Sequence, residues 1–238
     1  MMNYAVEGGN GRDPRMIEGV LANLPLFAKV APSQITRVAL CSRTQNVRRG
    51  AMICRRGECM HSVLVIVYGS AMLALSRPEG GRRVVRFVGA KESFGAAAAL
   101  HGRPCPVDVI ALADCLVLTM PAAPLLRLLD QDSNFARNVL REVSERLLTL
   151  LAEIEASVQQ SAVQRLASYL DSLAEPNGTP HTWLARLPVS KTAIAERLGI
   201  TKETMSRLLR ELSARGAIEV ARRDITILDR ERLAAVGR

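Results

Sequence analysis

No uninterrupted apolar run in this chain approaches the roughly 20 residues that a membrane-crossing helix needs, so a helical span is not expected. The opening stretch MMNYAVEGGNGRDPR lacks the apolar centre of a secretory signal. Cysteine is sparse and odd in number: Cys41, Cys54, Cys59, Cys105 and Cys115 make no dense disulfide framework and fit a reducing compartment. These absences predict a cytoplasmic protein with no membrane partner. Catalytic signatures are missing as well. There is no G-x-S-x-G, no H-E-x-x-H, no phosphate-binding loop and no dinucleotide fingerprint, and His61, His101 and His181 are the only histidines. So little acid–base equipment argues against an enzyme.

What is present suits two domains with an acidic partner. The chain has 238 residues, of which 48% are apolar, enough for two hydrophobic cores, and its formal charge is +9. Charge alone does not separate nucleic acid from an anionic surface. Residues 1–15 are rich in Gly, Asn and charge and read as a mobile tail. A short helix is predicted over 16–24, and PSQITRVALC predicts a second with Pro32 at its start. From 47 to 120 the texture changes to short β-rich runs, with strands predicted at 51–54, 62–67, 71–75, 83–88, 107–111 and 116–119. Arg49-Gly50, Arg56-Gly57, Gly69-Ser70 and Pro78-Glu79-Gly80-Gly81 supply the turns. Such spacing predicts a rolled antiparallel sheet.

After Pro124 the pattern is helical for some 35 residues. Leu140, Val143, Leu147, Leu150 and Ile154 recur at spacings of three and four, a narrow heptad-like seam suited to the same helix of a second copy. Packing of that stripe on the chain's own sheet is the alternative. A further amphipathic helix is predicted over 162–173, and the segment 175–180 reads as a loop.

Residues 189–212, VSKTAIAERLGITKETMSRLLREL, carry the most specific pattern. Ile194, Leu198, Ile200, Met205, Leu208, Leu209 and Leu212 form an apolar stripe across two short helices broken at Leu198-Gly199-Ile200. Ser190 and Lys191 open the first helix and Thr201 caps the second, whose outer side holds Lys202, Glu203, Ser206, Arg207 and Arg210. A basic, polar helix face of this kind fits the major groove of double-stranded DNA. Two β runs around Arg222-Arg223-Asp224 then read as a hairpin wing whose two arginines suit phosphate contact. The whole is an α+β chain divided into a tail at 1–15, a β-roll at 16–123, a long helix at 124–160 and a winged helix-turn-helix at 161–238.

This order resembles the CRP/FNR superfamily of bacterial transcription regulators over nearly the whole chain. The resemblance rests on the roll frame RRGAMICRRGECMHSVLVIVYGSAMLAL with ESFGAAAAL, and on GITKETMSRLLRELSARGAIEV with a wing ending ITILDRERL. It implies a homodimer that binds DNA and works with RNA polymerase. It also implies that Glu203, Ser206 and Arg207 are the Glu-x-x-Ser-Arg reading pattern of FNR-type members, for a TTGAT-type half-site. Arg can bond both acceptors of guanine, Glu can accept from cytosine, and Ser can do either.

The resemblance places an effector pocket at Phe94, Gly95, Ala96, Arg103, Cys105 and Pro106. Cyclic-AMP-binding relatives grip the ligand phosphate with a Glu and an Arg-Ser pair; here Ala96 and Cys105-Pro106 stand at those positions, so cyclic AMP is not the expected ligand. No cysteine precedes Leu24, which argues against an FNR-type iron-sulfur cluster. Cys54, Cys59 and His61 are the tightest set of potential metal ligands, with small buried thiols and an ordinary turn histidine as the alternative. The depleted roll and DRERL ending resemble the branch that senses nitric oxide through haem. Room for haem is expected beside the alanine strip 96–99, with the axial ligand open among the three histidines. Thiol-redox sensing and ligand-independent regulation are the other readings.

Overall fold

A computed structural model describes residues 11, 13–76, 81–178 and 181–236. They form two compact units, one with residues to 81 and 85–147 and the other with 82–84 and 148 onward. Among the described residues no helix is long and apolar enough to cross a membrane.

The first unit opens with α1 (Pro14–Ala22). Asp13 caps it, its carboxylate accepting from the Arg15 amide at 3.0 Å, and proline fills the first helical position. The helix therefore starts inside the stretch expected to be tail and ends two residues earlier than the sequence pattern predicts; residues 1–10 and 12 lie outside the described residues. A 3-10 turn (Pro25–Phe27) and α2 (Pro32–Cys41) follow.

The roll contains β1 (Arg43–Val47), β2 (Met52–Cys54), β3 (Ser62–Tyr68), β4 (Ala71–Ser76), β5 (Arg82–Val88), β6 (Ser93–Phe94), β7 (Asp108–Ala111) and β8 (Cys115–Pro121). Two four-stranded sheets result, ordered β1-β8-β3-β6 and β2-β7-β4-β5. Six strands were expected and eight are present among the described residues. β1 reads RTQNV, too polar for a strand pattern, yet it pairs along its length with β8 and buries Thr44 and Val47. β6 is only two residues long. Of the expected turn at 78–81, residues 78–80 lie outside the described residues.

The alanine strip forms α3 (Ala96–Leu100), with Ala98 and Ala99 packed into the core instead of lining a gap. The helical run after β8 is two helices, α4 (Ala122–Gln131) and α5 (Ser133–Gln159), not one. Asp132 makes the break: its backbone leaves the helical region, and its carboxylate accepts from the amides of Asn134 at 2.9 Å and Phe135 at 3.0 Å. Within the first unit α5 is seated by Phe135, whose ring centroid lies 5.2 Å from that of Phe27. Asn138 Nδ2 adds bonds to the carbonyls of Leu26 at 3.1 Å and Ala28 at 2.8 Å.

The second unit continues with α6 (Ala162–Ser172), opened by a reciprocal Ser161/Gln164 capping box. Then come β9 (Ala174–Pro176), β10 (Trp183–Arg186), α7 (Lys191–Leu198), α8 (Lys202–Ala214), β11 (Ile218–Ala221), β12 (Asp224–Ile227) and α9 (Arg230–Ala235). The expected wing hairpin is β11/β12. It belongs to a larger sheet, β11-β12-β10-β9, and so the segment expected as a loop begins in β9; Thr179 and Pro180 lie outside the described residues.

Candidate nucleic-acid interface and sensor roll

Local chemistry fixes the α7–α8 pair. The Ser190 hydroxyl accepts from the Ala193 amide at 3.2 Å, and the Thr201 hydroxyl accepts from the Thr204 amide at 3.1 Å. Gly199 between them has φ +71°, the left-handed conformation that lets its amide close back on Ala195. Ala193, Ile194, Ala195 and Leu198 of α7 and Met205, Leu208, Leu209 and Leu212 of α8 are buried. Ile200 is half-buried. The stripe read from sequence therefore anchors the pair, and Lys202, Glu203, Ser206, Arg207 and Arg210 are all exposed on the other side of α8. Positions 203, 206, 207 and 210 share one face by the three-and-four spacing of a helix. A hydrogen bond from its own backbone amide, with the Thr201 hydroxyl adding to it, holds the Glu203 carboxyl below the usual range, so it presents an acceptor.

Two arginines that pattern reasoning missed brace this pair inside the second unit. Arg165 of α6 donates from Nε to the carbonyl of Leu198 at 3.3 Å and from Nη1 to that of Gln160 at 2.7 Å, which satisfies the open C-terminus of α7. Arg197 pairs with Glu153 of α5. Nothing in a single sequence separates these from surface arginines, because each works through contacts distant along the chain. At the wing, Ala221 faces Asp224 and leaves Arg222-Arg223 as a two-residue tip. Arg222 is exposed with φ +55°. Arg223 is exposed as well, and it donates to the Pro188 carbonyl at 3.1 Å.

The seam on α5 is exposed throughout: Leu140 is 67% accessible, Leu147 57% and Ile154 60%, with Val143 and Leu150 also exposed. Leu148, Leu151 and Val158 extend it beyond the predicted positions, so the apolar face is wider than a strict three-and-four reading finds. Packing of the stripe on the chain's own sheet is not what the structure shows. On another side of the same helix, the Ser93 hydroxyl donates to Glu142 at 2.6 Å and Arg146 Nη2 donates to the Ser93 carbonyl at 2.6 Å, with Glu142 beside it. Burial, and the neighbouring Arg86, lower the Arg146 pKa.

In the roll, Phe94 is buried and Gly95 (φ +80°) turns the chain into α3, where an added Cβ would collide with the Met60 methyl. Ala96 is half-buried, Arg103 and Pro106 are exposed, and Cys105 is buried. The predicted pocket residues thus line the two ends of one segment without a charged grip inside. Cys54, Cys59 and His61 are not brought together as ligands. Cys54 is buried whereas Cys59 and His61 are exposed, and among the described residues no group of three or more His, Cys, Asp or Glu can hold a metal. His101 and His181 are exposed too, so no histidine offers an axial nitrogen from within an apolar wall, and with Ala98 and Ala99 packed into the core these residues do not fit haem.

Two family models match the chain: a cyclic nucleotide-binding domain over residues 44–132 and a Crp-like helix-turn-helix domain over residues 164–236. A CRP-like cAMP-activated global transcriptional regulator of Mycobacterium tuberculosis is 22% identical over 224 residues, spanning 93% of this chain and all of that protein. The nitrogen fixation regulation protein FixK of Rhizobium meliloti is 37% identical over 103 residues, which cover 40% of this chain and 47% of the relative. The solved structure of FixK2 from Bradyrhizobium japonicum superposes with a TM-score of 0.69 at 22% identity, covering 81% of this chain and 95% of that one.

Proposed function

The chain belongs to the CRP/FNR superfamily of transcription regulators, and from that premise we propose that it acts as a homodimer reading a palindrome of TTGAT-type half-sites under control of its β-roll. The observation that carries the reading is the exposed face of α8, where Glu203, Ser206 and Arg207 stand together on a helix whose other face is buried. Arg207 takes the O6 and N7 of a guanine, Glu203 a cytosine amine, and Ser206 completes the base contacts. Arg222 at the wing and Lys202 beside the recognition face contribute phosphate contacts that hold register without reading sequence. Two copies are joined through the α5 seam, since a palindrome requires a twofold partner and the exposed leucines supply an isologous surface. RNA polymerase is the further partner of a regulator so placed.

Cyclic AMP has no part in this reading, although the mycobacterial relative is described as activated by it. Ala96 and Cys105 offer neither the acceptor nor the cation that an anionic ring phosphate needs. Selection of binding sites from random duplexes by the full-length protein, with and without cyclic AMP, tests both points. The expected result is one TTGAT-type palindrome in both conditions. Recovery of TGTGA-type sites, or sites enriched only when the nucleotide is present, would overturn it.

A further inference from the structure

Apart from the DNA-reading face, the unspent chemistry of the molecule lies where the bend after β2 meets the segment before β7. The Gly57 amide donates to the Cys105 carbonyl and the Cys105 amide to the Glu58 carbonyl, both at 2.8 Å, while Cys59 bridges Pro104 and Cys54 stands opposite Val109. The two stretches therefore run antiparallel around Arg55-Arg56-Gly57, and the side chains of Cys54 and Cys105 share one buried space. They are 5% and 3% accessible; the Cys54 thiol donates to the Arg55 carbonyl at 3.6 Å and the Cys105 thiol to the Val107 carbonyl at 3.1 Å, and each sulfur is near enough to the other to shift its ionisation.

Burial alone makes a cysteine a small hydrophobe, and the third buried cysteine shows the contrast. Cys115 hydrogen-bonds to the Ser70 and Ala113 carbonyls, at 3.2 and 3.1 Å, with no second thiol among the causes of its shift, and its burial pushes the thiol up. In the Cys54/Cys105 pair the interaction between the two sulfurs splits them. It brings Cys105 down to about 7, with help from the Val107 backbone, and drives Cys54 up, while burial and the Glu58 and Asp108 carboxylates oppose ionisation of both.

We propose that Cys54 and Cys105 form a hydroperoxide-responsive dithiol, in which Cys105 is oxidised first and Cys54 closes a disulfide onto it. The Cys105 thiolate attacks the outer oxygen of the hydroperoxide. The O–O bond breaks, the alkoxide leaves and takes up a proton as alcohol or water, and the sulfur becomes a sulfenic acid. Its negative charge is then gone, and with it the main cause that holds Cys54 protonated. The Cys54 sulfur attacks the sulfenic sulfur, the S–S bond forms, the S–O bond breaks, and hydroxide leaves with the Cys54 proton as water. Two thiols and one hydroperoxide give one disulfide, one alcohol (water from hydrogen peroxide itself) and one water. The neighbouring residues Arg55 to Gly57 and Arg103, Pro104 and Pro106 are exposed while the thiols are buried, which favours a small oxidant.

Its regulatory consequence rests on the roll being the sensor, so chemistry and output are measured apart. The full-length reduced protein is treated with equimolar hydrogen peroxide, denatured under acid, and its thiols are counted and mapped by peptide mass spectrometry. The expected count falls from five to three, with a Cys54–Cys105 peptide lighter by about two mass units. Cys54→Ser traps a sulfenic acid at Cys105 that dimedone captures, and Cys115→Ser behaves as the parent. Five thiols retained, or loss mapping to the exposed Cys41 and Cys59, overturns the proposal whether or not any variant folds. DNA affinity on a TTGAT-type palindrome is then read by fluorescence anisotropy. Reduced and oxidised protein should differ by about fivefold or more, and equal affinities overturn the regulatory half. No specific binding in either state instead overturns the reading of α8 and leaves the thiol result standing.

Discussion

Helix α8 and the segment from Phe94 to Pro106 were both expected to meet a ligand, and they are built in opposite ways. α8 turns Met205, Leu208, Leu209 and Leu212 inward and displays Glu203, Ser206, Arg207 and Arg210. The roll segment buries Phe94, Ala98, Ala99 and Cys105 and leaves its one cation, Arg103, outside. One surface keeps the charges that a nucleic acid requires. The other has exchanged anchors for packing and a pair of thiols. The proposed DNA-reading face can therefore be read from exposed charge, whereas the proposed thiol pair lies in buried groups whose chemistry depends on neighbours.

The largest effect should come from removing the proposed twofold partner of the α8 face. Leu147→Asp sits on an exposed position of α5 and leaves the isolated chain's core intact. In a dimer it removes one buried leucine per copy, about 3–6 kcal/mol for the pair at about 1.5–3 kcal/mol each, and adds a buried charge. Sedimentation should show dissociation constants raised by about 100-fold or more, with palindrome affinity falling alongside. A variant that stays monomeric at micromolar concentration yet binds the palindrome as tightly as the parent would remove the dimer from the reading.

Arg207→Ala comes next and acts on α8 alone. Loss of a two-pronged guanine contact costs about 1–3 kcal/mol, roughly 5- to 150-fold in affinity, and relaxes preference at one base. Competition with singly substituted half-sites measures it. A uniform loss across all sites, with preference unchanged, would make Arg207 a phosphate contact and leave base reading to Glu203 and Ser206.

Much of the output half was legible because its signals are local. Ser190 and Thr201 cap helices, Gly199 takes the turn, and apolar spacing marks the buried side, all within two dozen residues. The two-layer roll was legible only in part. β1 escaped because its pairing with β8 overrides a polar composition, and the helix break at Asp132 escaped because the capping carboxylate sits inside an otherwise continuous helical pattern. Arg165 and Arg197 could not be told from other arginines, since their partners Leu198 and Glu153 are 33 and 44 residues away. The same reason hid the thiol pair. Cys54 and Cys105 are separated by most of the roll, whereas the sequence-adjacent set Cys54, Cys59 and His61 looked like a site and is not one.

The smallest effect concerns that pair and discriminates it from ordinary cysteines by pH alone. A thiol held near 7 is about one-tenth thiolate at pH 6 and about nine-tenths at pH 8, so alkylation of Cys105 should rise about tenfold over that interval and then level off. An ordinary thiol near 9.0 rises about 100-fold over the same interval and keeps climbing. Linkage gives the matching sign for folding. A lowered thiol pKa contributes stability that grows as pH rises from about 7 to 9 and is lost as pH falls through 7, while the raised Cys54 removes stability above its unfolded value. Timed iodoacetamide labelling resolved by peptide mass spectrometry provides the measurement. A Cys105 profile still climbing steeply at pH 9, parallel to that of buried Cys115, would mean that the neighbouring Cys54 does not set its ionisation, and the contrast between a charged face and a reactive thiol pair would lose its second member.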